Sequence, residues 1–218
     1  MLKKQIILSF FLFSLFVQTN TAQYRFGLSG GLTLSSHVGK DFTDTDFPKI
    51  GMSLGFFYEH ELNRKLSLLF DPAFVQKGAN YTFYPRNDIY VTVNNSFDYF
   101  VLPFMLKLNF GVKLNCYLAT GLAPGWLLNY KSEVKAYIND FEVPPDPFFP
   151  YTYNRFDAGI SVGGGIMWKE IFLDVRYVQG TRNIYDADDI PSIRNHMVSV
   201  KLAFSLYRKK NLPCYKKI

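Results

Sequence analysis

From Tyr24 onward, bulky apolar residues return at every second position. Tyr24, Phe26, Leu28, Leu32 and Leu34 alternate with Arg25, Gly27, Ser29, Gly31 and Thr33. Ile50, Met52, Leu54, Phe56 and Tyr58 repeat the pattern against Gly51, Ser53, Gly55 and Glu59. A period of two puts each set on one face of a β-strand. A soluble lipocalin-type barrel would hide its apolar face and show polar residues to water. Here the apolar set is bulky and the other set is rich in Gly, Ala and Ser. That division suits a narrow barrel standing in lipid, apolar outside and polar inside.

The pattern predicts eight strands. The first six are Tyr24 to Ser35, Lys49 to His60, Lys65 to Lys77, Phe97 to Phe110, Leu114 to Tyr130 and Thr152 to Trp168. The seventh starts at Ile171 and ends before a loop at Arg182; the eighth spans Arg194 to Leu206. Tight turns at Leu62 to Arg64, Gly111 to Lys113 and Lys169 to Glu170 alternate with long connections. One connection, Gly78 to Ser96, is partly extended and is read as lengthening its neighbours beyond the membrane. Another, Lys131 to Tyr151, holds Pro144, Pro145, Pro147 and Pro150, which argue against a strand there. Outer-membrane barrels have this asymmetry of short periplasmic turns and long external loops. Lipid cannot satisfy an open strand edge, so the sheet has to close on itself. The expected fold class is all-β, an eight-stranded antiparallel up-and-down transmembrane β-barrel with both termini in the periplasm.

The first residues follow a different rule. Lys3 and Lys4 precede an apolar run from Ile6 to Val17, and a small, polar stretch ends near Ala22. This is the order of a secretory signal peptide, and the run is too short for a transmembrane helix of about 20 residues. Residues 1–22 are therefore expected to be a signal peptide, 23–207 the barrel and 208–218 a basic tail. The overall charge is +6, but Arg208, Lys209, Lys210, Lys216 and Lys217 all lie in that tail. Between the leader and the tail the chain is near neutral, so nucleic acid is not an expected partner. The tail would meet lipid head groups or solvent. Cys116 and Cys214 are expected to be two unpaired thiols, with Cys116 pointing outwards.

On the inner face the alternation places Arg25, Glu59, Asp71, Lys107, Arg155, Asp157, Asp174, Arg176 and Lys201. Unpaired buried charge is costly, so these groups are expected to form an ion-pair network that fixes the lumen, with Asp174 and Arg176 at its core. The other reading is a selectivity ring or a proton path. Side chains can fill the interior of an eight-stranded barrel, which argues against a wide pore. Catalysis needs a nucleophile and a base in reach. His196 and Ser199 come nearest, but their spacing puts them on opposite faces of a strand. No enzyme activity, cofactor or metal is expected. Gly163-Gly164-Gly165 lies in mid-strand and is read as close packing inside the barrel. Aromatics make up 18 % of the chain. Tyr81, Phe83 and Tyr84 in one loop, and Phe148, Phe149 and Tyr151 in another, are candidate contacts for protein or carbohydrate. Equally, they are candidates for the upper interfacial girdle.

Several short segments add a resemblance. They are Arg25-Phe26-Gly27-Leu28-Ser29-Gly30-Gly31, Pro72-Ala73-Phe74-Val75-Gln76-Lys77-Gly78 and Tyr99-Phe100-Val101-Leu102-Pro103. Further segments are Gly121-Leu122-Ala123-Pro124-Gly125, Phe156-Asp157-Ala158-Gly159, Asp174-Val175-Arg176-Tyr177 and Gln179-Gly180. In these the chain resembles the PorT-like family of outer-membrane β-barrel proteins across nearly all of the part that follows the leader. The resemblance implies an eight-stranded outer-membrane barrel, and for some members a link to protein secretion across the envelope. The tail after Arg208 departs from barrels that stop at an aromatic residue. The expected function is a structural or accessory interaction component in outer-membrane lipid, with an envelope or secretion protein as partner. A narrow channel for small solutes or ions is the alternative, and a lipid-modifying enzyme the second. Oligomeric state is not legible.

Overall fold

In a computed structural model of the chain, residues 23–39, 46–86, 88–111, 115–139, 141–144, 152–186 and 192–209 are described. The elements are β1 (Gln23–Val38), β2 (Asp46–Glu61), β3 (Leu66–Phe70), β4 (Ala73–Arg86), β5 (Ile89–Val101) and β6 (Phe104–Phe110). They continue with β7 (Asn115–Ile138), β8 (Phe141–Val143), β9 (Phe156–Trp168), β10 (Ile171–Gly180) and β11 (Arg194–Lys209). All pairings are antiparallel, and β1 pairs with both β2 and β11, which closes the ring. β3 with β4, and β5 with β6, are halves of single interrupted strands, so eight strands surround the axis. Residues 1–22 lie outside the described residues, as does Cys214. Cys116 is half-buried on β7.

Proline makes both interruptions. Pro72 and Pro103 have no N–H to give the ladder. Neighbouring amides use the proline carbonyls instead. Phe56 N donates to Pro72 O at 3.1 Å, Asp71 N to Pro103 O at 3.2 Å and Leu102 N to Pro124 O at 2.8 Å. Three prolines thus line up across adjacent strands with the ring unbroken. Asp71, just before Pro72, is held wholly inside the barrel.

The outer surface carries Leu28, Leu32, Leu54, Leu122, Leu128 and Leu202, all exposed. Near the short-turn end Tyr24 lies 6.1 Å from Tyr58 and 5.8 Å from Tyr207 between ring centres, and Phe26 stacks on Tyr207. Such rings belong at a lipid–water boundary. Toward the other end the outer face turns polar. Gln76 donates to Asp98 at 3.2 Å, Lys49 to Asn94 at 2.6 Å, and Lys131 pairs with Glu133 at 2.6 Å. β4, β5 and β7 therefore project beyond the apolar belt as a small sheet.

Two expectations change here. The connection Lys131 to Tyr151 is not all loop. β7 continues to Ile138 and β8 returns along it, and the prolines begin only at Pro144, after β8. Tyr130 does not sit with the outer residues either. Asp98 pairs with Asn129 but Tyr99 with Leu127, so Leu128 is an extra residue in β7. A bulge of one residue inverts the alternation beyond it. Tyr130 consequently shares the side of its pairing partner Phe97 and packs 4.7 Å from the ring of Tyr153, while its own side chain stays exposed. β11 runs through Arg208 and Lys209, the first two residues of the segment read as a tail.

The interior is less polar than strict alternation implies. Near the external end Val75, Phe97, Tyr99, Leu127, Tyr153 and Ile193 belong to one buried apolar cluster. Near the short-turn end Phe57, Leu69, Met105, Tyr117, Met167 and Phe172 form another. Two connections fold into the external mouth. Asn154 N donates to Ile184 O, Asp186 N to Thr152 O and Ile184 N to Ile193 O. These bonds seat Tyr153 and Tyr185 over the upper cluster, their rings 5.3 Å apart.

Candidate functional site

Ion pairs occupy the lumen in three tiers. At the short-turn end Arg25 on β1 approaches Glu59 on β2 at 3.3 Å, and Lys107 on β6 reaches the same carboxylate at 2.9 Å. Arg25 also pairs with Glu61 at 2.7 Å and contacts the Met167 sulfur. Lys107 Nζ lies 4.1 Å from the centre of the Tyr117 ring, a cation–π position.

Asp71 anchors the middle tier. Arg176 Nη1 and Lys201 Nζ each sit 2.6 Å from Asp71 Oδ2, and Ser29 donates to the other oxygen at 3.1 Å. Arg176 Nε meets Asp174 at 2.6 Å, and Tyr117 donates its hydroxyl to Asp174 at 2.5 Å. The Gly163–Gly165 run makes room for this. A Cβ on Gly163 would come 2.6 Å from Arg176 Cγ, and one on Gly165 would come 2.7 Å from the Tyr117 hydroxyl.

In the upper tier Lys77 on β4 pairs with Asp157 on β9 at 2.9 Å, and Asn195 donates to the same carboxylate at 3.3 Å. Lys77 Nζ rests 4.7 Å from the centre of the Tyr99 ring. Five buried cations (Arg25, Lys77, Lys107, Arg176, Lys201) face four buried carboxylates (Glu59, Asp71, Asp157, Asp174). Half-buried Glu61 brings the set to neutrality. Between the lower and middle tiers a cavity of about 20 Å³ remains, bounded by Glu59, Asp71, Lys107, Tyr117 and Arg176. That is room for about one water.

Eight of the nine charged residues placed inside by the alternation lie buried in these tiers. Arg155 does not. It is exposed, because β9 begins only at Phe156 and the residue before it escapes the strand's alternation. Its backbone carbonyl accepts from Leu127 N at 2.7 Å instead. Lys77, with the inner parity of Asp71 and Val75, supplies a further cation. Tyr117, Asn195 and Glu61 also take part. For Tyr117 the signal was present, since it falls on the inner parity of its strand.

Among the external aromatics, Tyr84 is exposed and Tyr81 half-exposed. Tyr84, Tyr90 and Tyr137 make a row across β4, β5 and β7, with ring centres 6.0 Å apart for the first pair and 4.7 Å for the stacked second. Phe83 lies on the same strand as Tyr84. Phe148, Phe149 and Tyr151 lie outside the described residues. His196 is half-buried and Ser199 fully buried. Among the described residues no His, Cys, Asp and Glu group is placed to hold a metal ion.

The profile of the family described as Outer membrane protein beta-barrel domain matches residues 16–186. The chain belongs to this family. It is an outer-membrane protein, and its eight-stranded ring is the family's β-barrel. Solved structures of other barrels are similar. Ail, the attachment invasion locus protein of Yersinia pestis, in complex with the heparin analogue sucrose octasulfate, is 12 % identical, with a TM-score of 0.44. That likeness covers 84 % of this chain and 98 % of Ail. Neisserial surface protein A is 12 % identical over 84 % of this chain and 97 % of its own, with a TM-score of 0.44. OprG of Pseudomonas aeruginosa is 8 % identical over 87 % and 96 %, with a TM-score of 0.40. No curated protein matches the chain.

Proposed function

We propose that this barrel is a PorT-like structural or accessory component of the outer membrane that works by binding an envelope protein. Its role lies in protein secretion across the envelope, and residues 1–22 direct its export. The observation that carries the interaction reading is the filled interior. Two apolar clusters and three tiers of ion pairs leave a cavity of about 20 Å³, which weighs against a solute path. The sheet projecting beyond the lipid belt, with its row of Tyr84, Tyr90 and Tyr137, supports contact outside the membrane. Tyrosine is suited to this, with a large rigid face and a polar tip. The PorT-like reading rests on the strand segments quoted above. Catalysis forms no part of the proposal, since His196 lies in the outer row of β11 while Ser199 is sealed inside.

The test is purification from the outer-membrane fraction in mild detergent. The proposal expects one envelope protein in stoichiometric amount, and its loss on combining Tyr84→Ala with Tyr137→Ala. A barrel that emerges alone from gentle solubilisation and from cross-linked cells would overturn it.

A further inference from the structure

The short-turn end holds a pocket that the filled lumen leaves open. Its volume is about 110 Å³, and its polar lining includes Arg25, Arg64, Arg208, Glu61, Asn63 and Asn109. Three arginines and one carboxylate thus line it.

The pairing of strands brings this about. Arg25 on β1 stands directly opposite Arg208 on β11. Like charges in that position repel unless an anion lies between them. Glu61 supplies one, taking Arg25 Nη2 at 2.7 Å and Arg208 Nη2 at 3.4 Å. One carboxylate does not use all the donors. Arg208 Nε is buried without a hydrogen-bond partner among the described residues, and Arg64 stands exposed on the turn after β2. Arg25 is fixed as a wall of the pocket by Glu59 and Glu61. An excess of two positive charges therefore surrounds a small polar space. Guanidinium forks match the geometry of carboxylate and phosphate oxygens. At roughly 30 Å³ per water, the space equals three or four waters, the scale of one oxyanion head group.

We propose that this pocket binds a single oxyanion, a phosphate or a carboxylate, presented from the periplasmic side. The barrel then offers a charged socket at the mouth where its strands begin and end.

The experiment is calorimetric titration of the purified barrel in uncharged detergent, with inorganic phosphate and, separately, with acetate. The expected result is saturable one-to-one binding of at least one anion. Phosphate alone would assign a phosphoryl ligand, and acetate a carboxylate; either supports the site. Arg64→Gln and Arg208→Gln should each weaken binding about tenfold or more. Lys135→Gln, on the projecting sheet at the far end, should leave it unchanged. A heat-dependent gel shift checks folding of every variant, and Arg64→Gln on its exposed turn carries the test should Arg208→Gln fail to fold. No saturation by either anion, or an equal loss with Lys135→Gln, overturns the proposal.

Discussion

Arg176 and Asp71, 105 residues apart in the chain, meet at 2.6 Å in the middle of the barrel. Asp71 is there because it continues the inward row of Ser67 and Leu69, and Arg176 because Gly163 opposite leaves room for its stem. The same carboxylate holds Lys201 at 2.6 Å. A buried pair of this kind is weak evidence for stability, but breaking one is expensive because a charge is left behind. Asp71→Asn should destabilise the barrel by about 3–5 kcal/mol. Adding Lys201→Met should recover part of that loss, since it removes a stranded cation. Denaturant midpoints in detergent would measure both, and a single variant no weaker than the double would contradict the arrangement.

Lys107 and Lys131 give a contrast between two ion pairs of similar length. Lys107 meets Glu59 at 2.9 Å deep in the lumen, while Lys131 meets Glu133 at 2.6 Å with both side chains largely exposed. Lys107→Met should cost up to about 3–5 kcal/mol, as it removes the nearer partner of buried Glu59 and leaves that carboxylate only Arg25, at 3.3 Å. Lys131→Met should leave the denaturant midpoint unchanged, because water and salt screen the exposed pair. The hydrogen bond and charge of Lys131 hold the Glu133 carboxyl below its ordinary range. Any stability from that shift exists above the ordinary carboxylate pKa and is lost as pH falls through the lowered value. Exposure makes it small, so Glu133→Gln should follow the acid unfolding curve of the parent protein.

Leu122 tests the lipid face. It is 64 % exposed, midway along the membrane-facing part of β7. On a water-soluble surface Leu122→Arg would be nearly neutral. At the middle of a bilayer a cation on the outer face should cost about 2–4 kcal/mol. Folding yield and unfolding midpoint in lipid vesicles would show the loss. An unchanged midpoint would mean that this face does not meet hydrocarbon.

Tyr84 and Tyr137 separate contact from stability. Both belong to the row on the projecting sheet, away from the buried clusters. Replacing either with Ala should leave the heat-dependent gel shift intact and reduce capture of the envelope partner proposed above at least tenfold. Loss of the gel shift together with capture would assign these rings to the fold instead.

Much of this structure was legible in the order of residues. The alternation located eight strands, told inside from outside and marked eight of the buried charges. Strand ends were harder to read. Arg155 has inner parity, but parity binds only residues within a strand, and β9 starts one residue later. Tyr130 was misplaced because the bulge at Leu128 inverts the alternation, and no Gly or Pro announces it. The extension of β7 to Ile138 is polar on its outer face, so it carries none of the apolar signal that marks a membrane strand. The three tiers were not legible either. They depend on which strands become neighbours across the ring and on the carbonyl bonds at Pro72, Pro103 and Pro124.

Conductance of the purified barrel in a planar bilayer tests the central claim, that the lumen is filled. Clusters at both ends and the ion pairs between them predict no steady ionic current across the membrane over the normal voltage range. Stepwise, long-lived conductance from the folded protein, abolished by heat unfolding, would contradict the filled lumen and point to a channel.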